Sequence, residues 1–145
     1  MRLWHIDLVP YLPKLQLLSQ WRECCCIAKN IADNGTPNHI LVNKVLDYDS
    51  SDFEYYCKLV EQEMIKRGYK INPKVHDKLF NYILDSCWRF NQNHIHHDYV
   101  FEGWHDDRYL TQCFFNLQEK FDCGGIPKDE WEKLNNWYWT MFREE

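Results

Sequence analysis

Glu23 stands beside Arg22 in the stretch Gln20-Trp21-Arg22-Glu23. A carboxylate can act as general base and as partner to a developing cation, and a guanidinium can take a phosphate. Upstream, Met1-Arg2-Leu3-Trp4-His5-Ile6-Asp7-Leu8 reaches that stretch through Pro10 and Pro13, which fix φ and forbid a helix running straight through. An arm that turns back could set an α-amine beside Glu23. At an ordinary pKa of about 7.7–8.0, roughly a tenth of α-amines are neutral and nucleophilic at pH 7, against about a thousandth of lysine amines. The chemistry on offer is therefore amine attack assisted by a carboxylate. A solvated helix face is the plainer reading of the same pair.

The element that must carry the pair is a helix over 14–33. At about 100° per residue, Leu17, Leu18, Trp21, Cys24, Cys25, Ala28, Ile31 and Ala32 gather on one side as a core stripe. Gln16, Ser19, Gln20, Glu23 and Asn30 gather on the other, with Arg22 on the shoulder. Asn34-Gly35-Thr36-Pro37-Asn38 then reads as a turn. Residues 39–48 read as a short helix, in which His39 caps the start and Asn43 and Lys44 follow one turn on. Ser50-Ser51-Asp52 caps a long helix ending at Gly68. Further helices are expected over 74–90, with Val75, Leu79, Tyr82, Ile83, Cys87 and Phe90 inward, from Asp106-Asp107 to Phe121, and after Pro127 through Trp131, Leu134, Tyr138 and Phe142. The stretch 91–107 reads as a polar, histidine-rich loop. The fold expected is all-α, a compact single-domain helical bundle over 1–145.

Two other groups could do chemistry. His94, His96, His97 and Asp98, with His105-Asp106-Asp107 nearby, offer imidazoles and carboxylates to zinc or iron. They lack the His-Glu-x-x-His spacing that sets two rings on one helix face, so a polar loop is the plainer reading, and no cofactor is expected. Trp137, Tyr138 and Trp139 cannot all face one side of a helix, so at least one is expected to be exposed and able to stack on bases.

Aromatic residues make up 17% of the 145, which disfavours disorder. A net charge of −5 argues against a broad basic surface gripping many phosphates, and leaves room for a local patch. The seven cysteines, three of them consecutive at Cys24-Cys25-Cys26, contain no Cys-x-x-Cys pair and read mostly as small core residues. Neither a signal peptide nor a membrane-length apolar run is visible, so a cytoplasmic monomer is expected.

The pattern Leu8-Val9, Leu12, Leu17, Arg22-Glu23 resembles, in register, the amino-terminal region of the phage pyrimidine-dimer DNA glycosylases of the endonuclease V type. His39-Ile40 and Lys66-Arg67-Gly68-Tyr69-Lys70-Ile71 are similar to that family's central histidine and Arg-Gly-aromatic helix end, and Trp137-Tyr138 to its closing aromatics. The resemblance implies an α-helical fold, a DNA or nucleotide partner, and an α-amine that attacks C1′ of a damaged nucleotide, with Glu23 supporting the sugar cation and the proton transfers of strand scission. It implies catalytic roles for Glu23, Arg22, Met1 and Arg2, and substrate contacts from His5, Gln16, His39, Asn43, Lys44, Trp137 and Tyr138. The family exposes the amine of a small second residue. Here that residue is Arg2, so either Met1 supplies the amine one residue out of register or the imine chemistry is lost. Leu3, Gln16 and Cys26 stand where the family carries cationic or titratable groups, which implies an altered substrate or a retired site. The alternatives are a non-catalytic nucleic-acid or nucleotide-binding module, and a metal-dependent hydrolase built on the histidine loop.

Overall fold

Pro10 and Pro13 keep the start of the chain out of an α-helix, and the backbone turns instead through a 3₁₀ segment, Ile6–Tyr11. The computed structural model describes residues 1–89 and 99–143. Among these the elements are all helical: α1 (Lys14–Asn34), a second 3₁₀ segment (Asn43–Asp47), α2 (Ser50–Lys66), α3 (Pro73–Ser86), α4 (Asp107–Asp122) and α5 (Lys128–Arg143). The histidines expected at 94, 96 and 97 lie outside the described residues, as does Phe90.

The arm is core, not ornament. Leu3, Trp4, Leu8, Val9 and Leu12 are all buried, packed in one cluster with Leu17, Trp21, Phe53, Tyr56, Phe114 and Leu134. α1 packs most extensively against α3 and next against α2, and α4 lies against α5. The stripe expected on α1 is buried at Leu17, Trp21, Cys24, Ala28 and Ile31, with Leu18 and Cys25 partly covered. Ala32 is exposed, and Ile27 completes the stripe. α1 ends where Gly35 turns left-handed at φ 77° and donates its N–H to Ile31 O, a geometry that favours glycine.

Several sequence expectations are corrected. Residues 39–48 form a turn and a 3₁₀ segment, because the only firmly buried side chains there, Val42 and Val45, sit three apart as 3₁₀ winding allows. The cap of α2 is Asp49, whose Oδ1 accepts from Ser51 N–H, and Asp52 is buried with its Oδ2 accepting from Phe101 N–H. α3 stops at Ser86, since Cys87 turns left-handed at φ 38° and faces solvent. Beyond the undescribed residues, the supposed polar loop closes with Val100, Phe101 and Trp104 buried. Its aromatic residues were the sign that it plugs the core. The end of α2 fits expectation, with Gly68 at φ 87° and Arg67 folded back so that its guanidinium donates to Leu12 O at 2.8 Å and Pro10 O at 3.1 Å.

Candidate active site

Gln20 assembles the site, although its place in the helical wheel put it on the outer face. It is fully buried. Its Oε1 accepts from Trp4 N–H at 2.8 Å and from Tyr56 O–H at 3.0 Å, while its Nε2 donates to Arg2 O at 3.0 Å. Tyr56 also donates to Trp4 O at 2.6 Å, and Tyr109 donates to Leu3 O at 2.6 Å. Four backbone groups of residues 2–4 are therefore satisfied by side chains from α1, α2 and α4. An extended arm with no sheet to pair with needs such partners once buried.

That pinning carries the backbone nitrogen of Arg2 to 3.4 Å from Glu23 Oε2, with Gln20 Nε2 at 3.5 Å from the same oxygen. Both contacts are long, so the carboxylate keeps capacity for a stronger partner. Glu23 is half-buried at the edge of a cleft of about 270 Å3 lined by Met1, Arg2, Trp4, Leu41, Asn116 and Lys120. A second cleft of about 310 Å3 shares Arg2 and Leu41 with the first and adds Lys44, Trp104, Arg108, Tyr109 and Gln112. The Arg2 guanidinium lies 5.3 Å from the Trp4 ring centroid, a cation–π contact, and reaches Cys113 Sγ at 3.9 Å. On α4, Arg108, Gln112, Asn116 and Lys120 recur every four residues and so form one ridge along both clefts. No motif drew attention to this ridge. Its four-residue polar spacing was the available signal.

Behind the arm, two imidazoles stack with centroids 5.2 Å apart. His5 Nδ1 accepts from Asp7 N–H at 3.1 Å and its Nε2 donates to His105 O at 2.9 Å. His105 Nδ1 accepts from Ile6 N–H at 3.0 Å, which leaves its buried Nε2–H without a hydrogen-bond partner among ring faces of Phe101, Trp104 and Tyr56. Burial lowers the pKa of both histidines. In His5 that effect outweighs the opposite pull of Asp7, and in His105 the neighbouring His5 adds to it.

The other expected contacts divide. Lys44 lines the second cleft. His39 and Asn43 brace a turn, His39 N–H donating to Asn43 Oδ1 at 2.9 Å. His5 is buried and belongs to the arm's anchorage. Arg22 is exposed, and its guanidinium lies 3.5 Å from Ser19 Oγ, away from the clefts. Gln16 is half-buried with its Oε1 unpartnered. Tyr138 is 3% exposed, stacked at 3.7 Å on Phe114, and has no free face for a base. Trp137 stacks on Tyr11 at 4.5 Å in a separate groove, whereas Trp139 is the exposed member of the aromatic trio. Among the described residues no group of three or more His, Cys, Asp or Glu side chains is placed to hold a metal ion, and no helix is long and apolar enough to cross a membrane.

Comparison with curated proteins and with solved structures returned no match. The family model for pyrimidine dimer DNA glycosylase matches residues 1–77, more than half of the chain. That span holds the arm, Gln20, Glu23 and the Arg67 clasp, and it ends before α4 brings the ridge that completes both clefts. With an all-helical fold and this match over its amino-terminal half, the chain belongs to the pyrimidine dimer DNA glycosylase family.

Proposed function

We propose that the chain is a DNA glycosylase with abasic-site lyase activity on damaged or modified pyrimidine nucleotides, and that its nucleophile is the nitrogen of residue 2. The observation carrying this reading is the 3.4 Å approach of that nitrogen to Glu23 Oε2, at a cleft bearing Arg2 and Lys120. With Met1 attached the nitrogen is an amide that can only donate. Because a side chain as large as that of Arg2 opposes the usual removal of Met1, this reading requires a different cleavage that exposes Arg2. Freed as an α-amine, the nitrogen occupies the same place as a nucleophile. The amine attacks C1′ and the N-glycosidic bond breaks, its electron pair leaving with the base. The nitrogen then loses its protons as the sugar ring opens, giving an imine. Glu23 stabilises the positive charge at C1′ and relays the amine's two protons, one to the departing base and one to the ring oxygen as the C1′–O bond opens. A shift of one residue moves an atom by up to about 3.5 Å, so the amine of Met1 fits this geometry less well than that of Arg2.

Arg2 and Lys120 suit the phosphates flanking the target nucleotide, with Lys44 and Arg108 continuing the strip. Arg22, exposed beside Ser19 and outside both clefts, is left to a phosphate farther along the strand. The test is borohydride trapping on abasic-site and thymine-dimer duplexes. It compares the chain with Met1 retained and a form released from a fusion so that it starts at Arg2. The expected result is an adduct mapping to the Arg2 nitrogen in the second form, and its loss in Glu23→Gln. Equal trapping by the Met1 form would assign the chemistry to Met1. Absence of an adduct and of base release in both forms would leave a nucleic-acid-binding module.

A further inference from the structure

The groove in which Trp137 stacks on Tyr11 differs from the two clefts in charge. It holds about 660 Å3, within the range of small-molecule sites, and is walled by the arm, α2, residues 99–106 and α5. Gly103 and Asp106 border both this groove and the second cleft. The cleft carries Arg2, Lys44 and Arg108. The groove carries Asp7, Glu102 and Asp106, with no lysine or arginine among its described lining. A phosphate backbone is therefore turned away from the groove, and a cation is drawn to it.

Among the described residues, none of the three carboxylates pairs with a lysine or arginine. Asp7 Oδ2 lies 3.9 Å from His5 Nδ1, but that nitrogen accepts from Asp7 N–H and bears no proton. Asp106 Oδ1 accepts from Tyr109 N–H, a neutral donor that leaves the negative charge in place. His5 and His105 also line the groove, and burial lowers both pKa values, so neither opposes a cation at pH 7. The remaining surface is chiefly aromatic. Tyr11, Tyr55, Tyr99 and Trp137 contribute rings, and Tyr99 is 72% exposed. Carboxylates attract an ammonium, and ring faces take the ammonium or the methylenes beside it. A basic peptide would also bring backbone amides, for which rings, Pro10, Leu59 and Val100 offer no side-chain partners. A linear polyamine brings ammoniums spaced by methylenes and nothing else.

We propose that this groove binds a linear aliphatic polyamine, its ammoniums on Asp7, Glu102 and Asp106 and its methylenes against Tyr11, Tyr99 and Trp137. The bound chain ties the arm, through Asp7, to the segment that closes onto α4, through Glu102 and Asp106. Only the folded protein brings these segments together, so the ligand stabilises it by mass action.

The probe is spermidine, titrated calorimetrically into the full chain at physiological ionic strength, with thermal midpoints followed in parallel. Saturable binding at a single site and a rise in midpoint are expected. Asp7→Asn combined with Glu102→Gln is expected to weaken binding by at least about tenfold, and Tyr99→Leu by about threefold. All three side chains are exposed, so their replacement leaves the core intact, and Asp106 is kept because it caps α4. Magnesium chloride at matched ionic strength controls for charge alone. No saturable binding, binding that the double substitution leaves unchanged, or an equal midpoint rise with magnesium each overturns the site. So does capture of an arginine-containing peptide by a chain that ignores spermidine, which gives the groove to a protein tail. None of these measurements uses DNA, so the site and the glycosylase reading stand or fall separately.

Discussion

Gln20 and Tyr56 act on the reaction through position. Gln20 uses both ends of its amide to hold residues 2 and 4, so replacing it with Ala strands the buried Trp4 N–H and the part-buried Arg2 O, while the Tyr56 hydroxyl keeps Trp4 O. An unsatisfied buried polar group costs about 1–3 kcal/mol, and Gln20→Ala is expected to lose about 2–4 kcal/mol in urea unfolding. Tyr56→Phe keeps the ring and removes only the hydroxyl that spans Trp4 O and Gln20 Oε1, so about 1–2 kcal/mol is expected. Both variants should lose turnover out of proportion to their unfolded fraction, because each frees the nitrogen that faces Glu23. A Gln20→Ala protein that unfolds like the parent would show that the amide bonds are not what fixes the arm. None of this was legible in the helical wheel. A wheel sorts residues by polarity, and it placed a fully buried glutamine with the solvated ones because its partners come from an arm the wheel does not contain.

At the scale of elements, the arm depends on two further clasps, one at its carboxyl-terminal end and one at its centre. The carboxyl-terminal clasp is Arg67, whose guanidinium donates to Leu12 O and Pro10 O while its Nε meets Glu63 at 2.9 Å. The sequence marked this residue as part of an Arg-Gly-aromatic helix end. It did not show why the arginine is there, since its acceptors lie more than fifty residues upstream. Hydrogen bonds to a charged donor contribute about 1.5–3 kcal/mol, so Arg67→Ala is expected to cost about 2–3 kcal/mol, and Arg67→Lys most of that, because an ammonium cannot span two carbonyls in one plane. The central clasp is the His5–His105 stack, and it is proton-sensitive. Each Nδ1 accepts a backbone N–H, from Asp7 and Ile6 respectively, so a proton arriving there faces a donor. Burial lowers both pKa values below the ordinary histidine value of about 6.5. The unfolded chain therefore binds more protons than the native one, and the stability from these groups is complete above about pH 6.5 and declines as pH falls toward their native values. Asp7, Asp106 and Asp107 temper the effect for His5. Thermal midpoints should drop between pH 7 and 5. The drop should be shallower in His105→Asn, whose side-chain oxygen can accept from Ile6 N–H without titrating. Equal slopes for the two proteins would assign the acid sensitivity elsewhere.

Over the whole molecule, the net charge of −5 and a duplex partner are reconciled by where four of the 17 lysines and arginines lie. Arg2, Lys44, Arg108 and Lys120 line the two joined clefts, with Arg2 common to both. The sequence made the helices legible because their apolar spacing and terminal signals are local. It pointed to Arg2 and Lys44 and hid the rest of the strip, because Arg108 and Lys120 come from a helix beyond the span that matches the family. A strip of four contacts has a measurable signature. Each neutralised phosphate releases condensed counterions, so the logarithm of the binding constant should fall against the logarithm of salt concentration with a slope of about −3 to −4. Lys44→Ala, Arg108→Ala and Lys120→Ala should each flatten it by about one and weaken binding for all sequences alike. The acidic remainder of the surface repels the same phosphates, which should confine the complex to this strip and keep binding to undamaged duplex weak at physiological salt. A slope near zero, or one untouched by all three substitutions, would falsify the strip as the DNA-binding surface and send the search to another face.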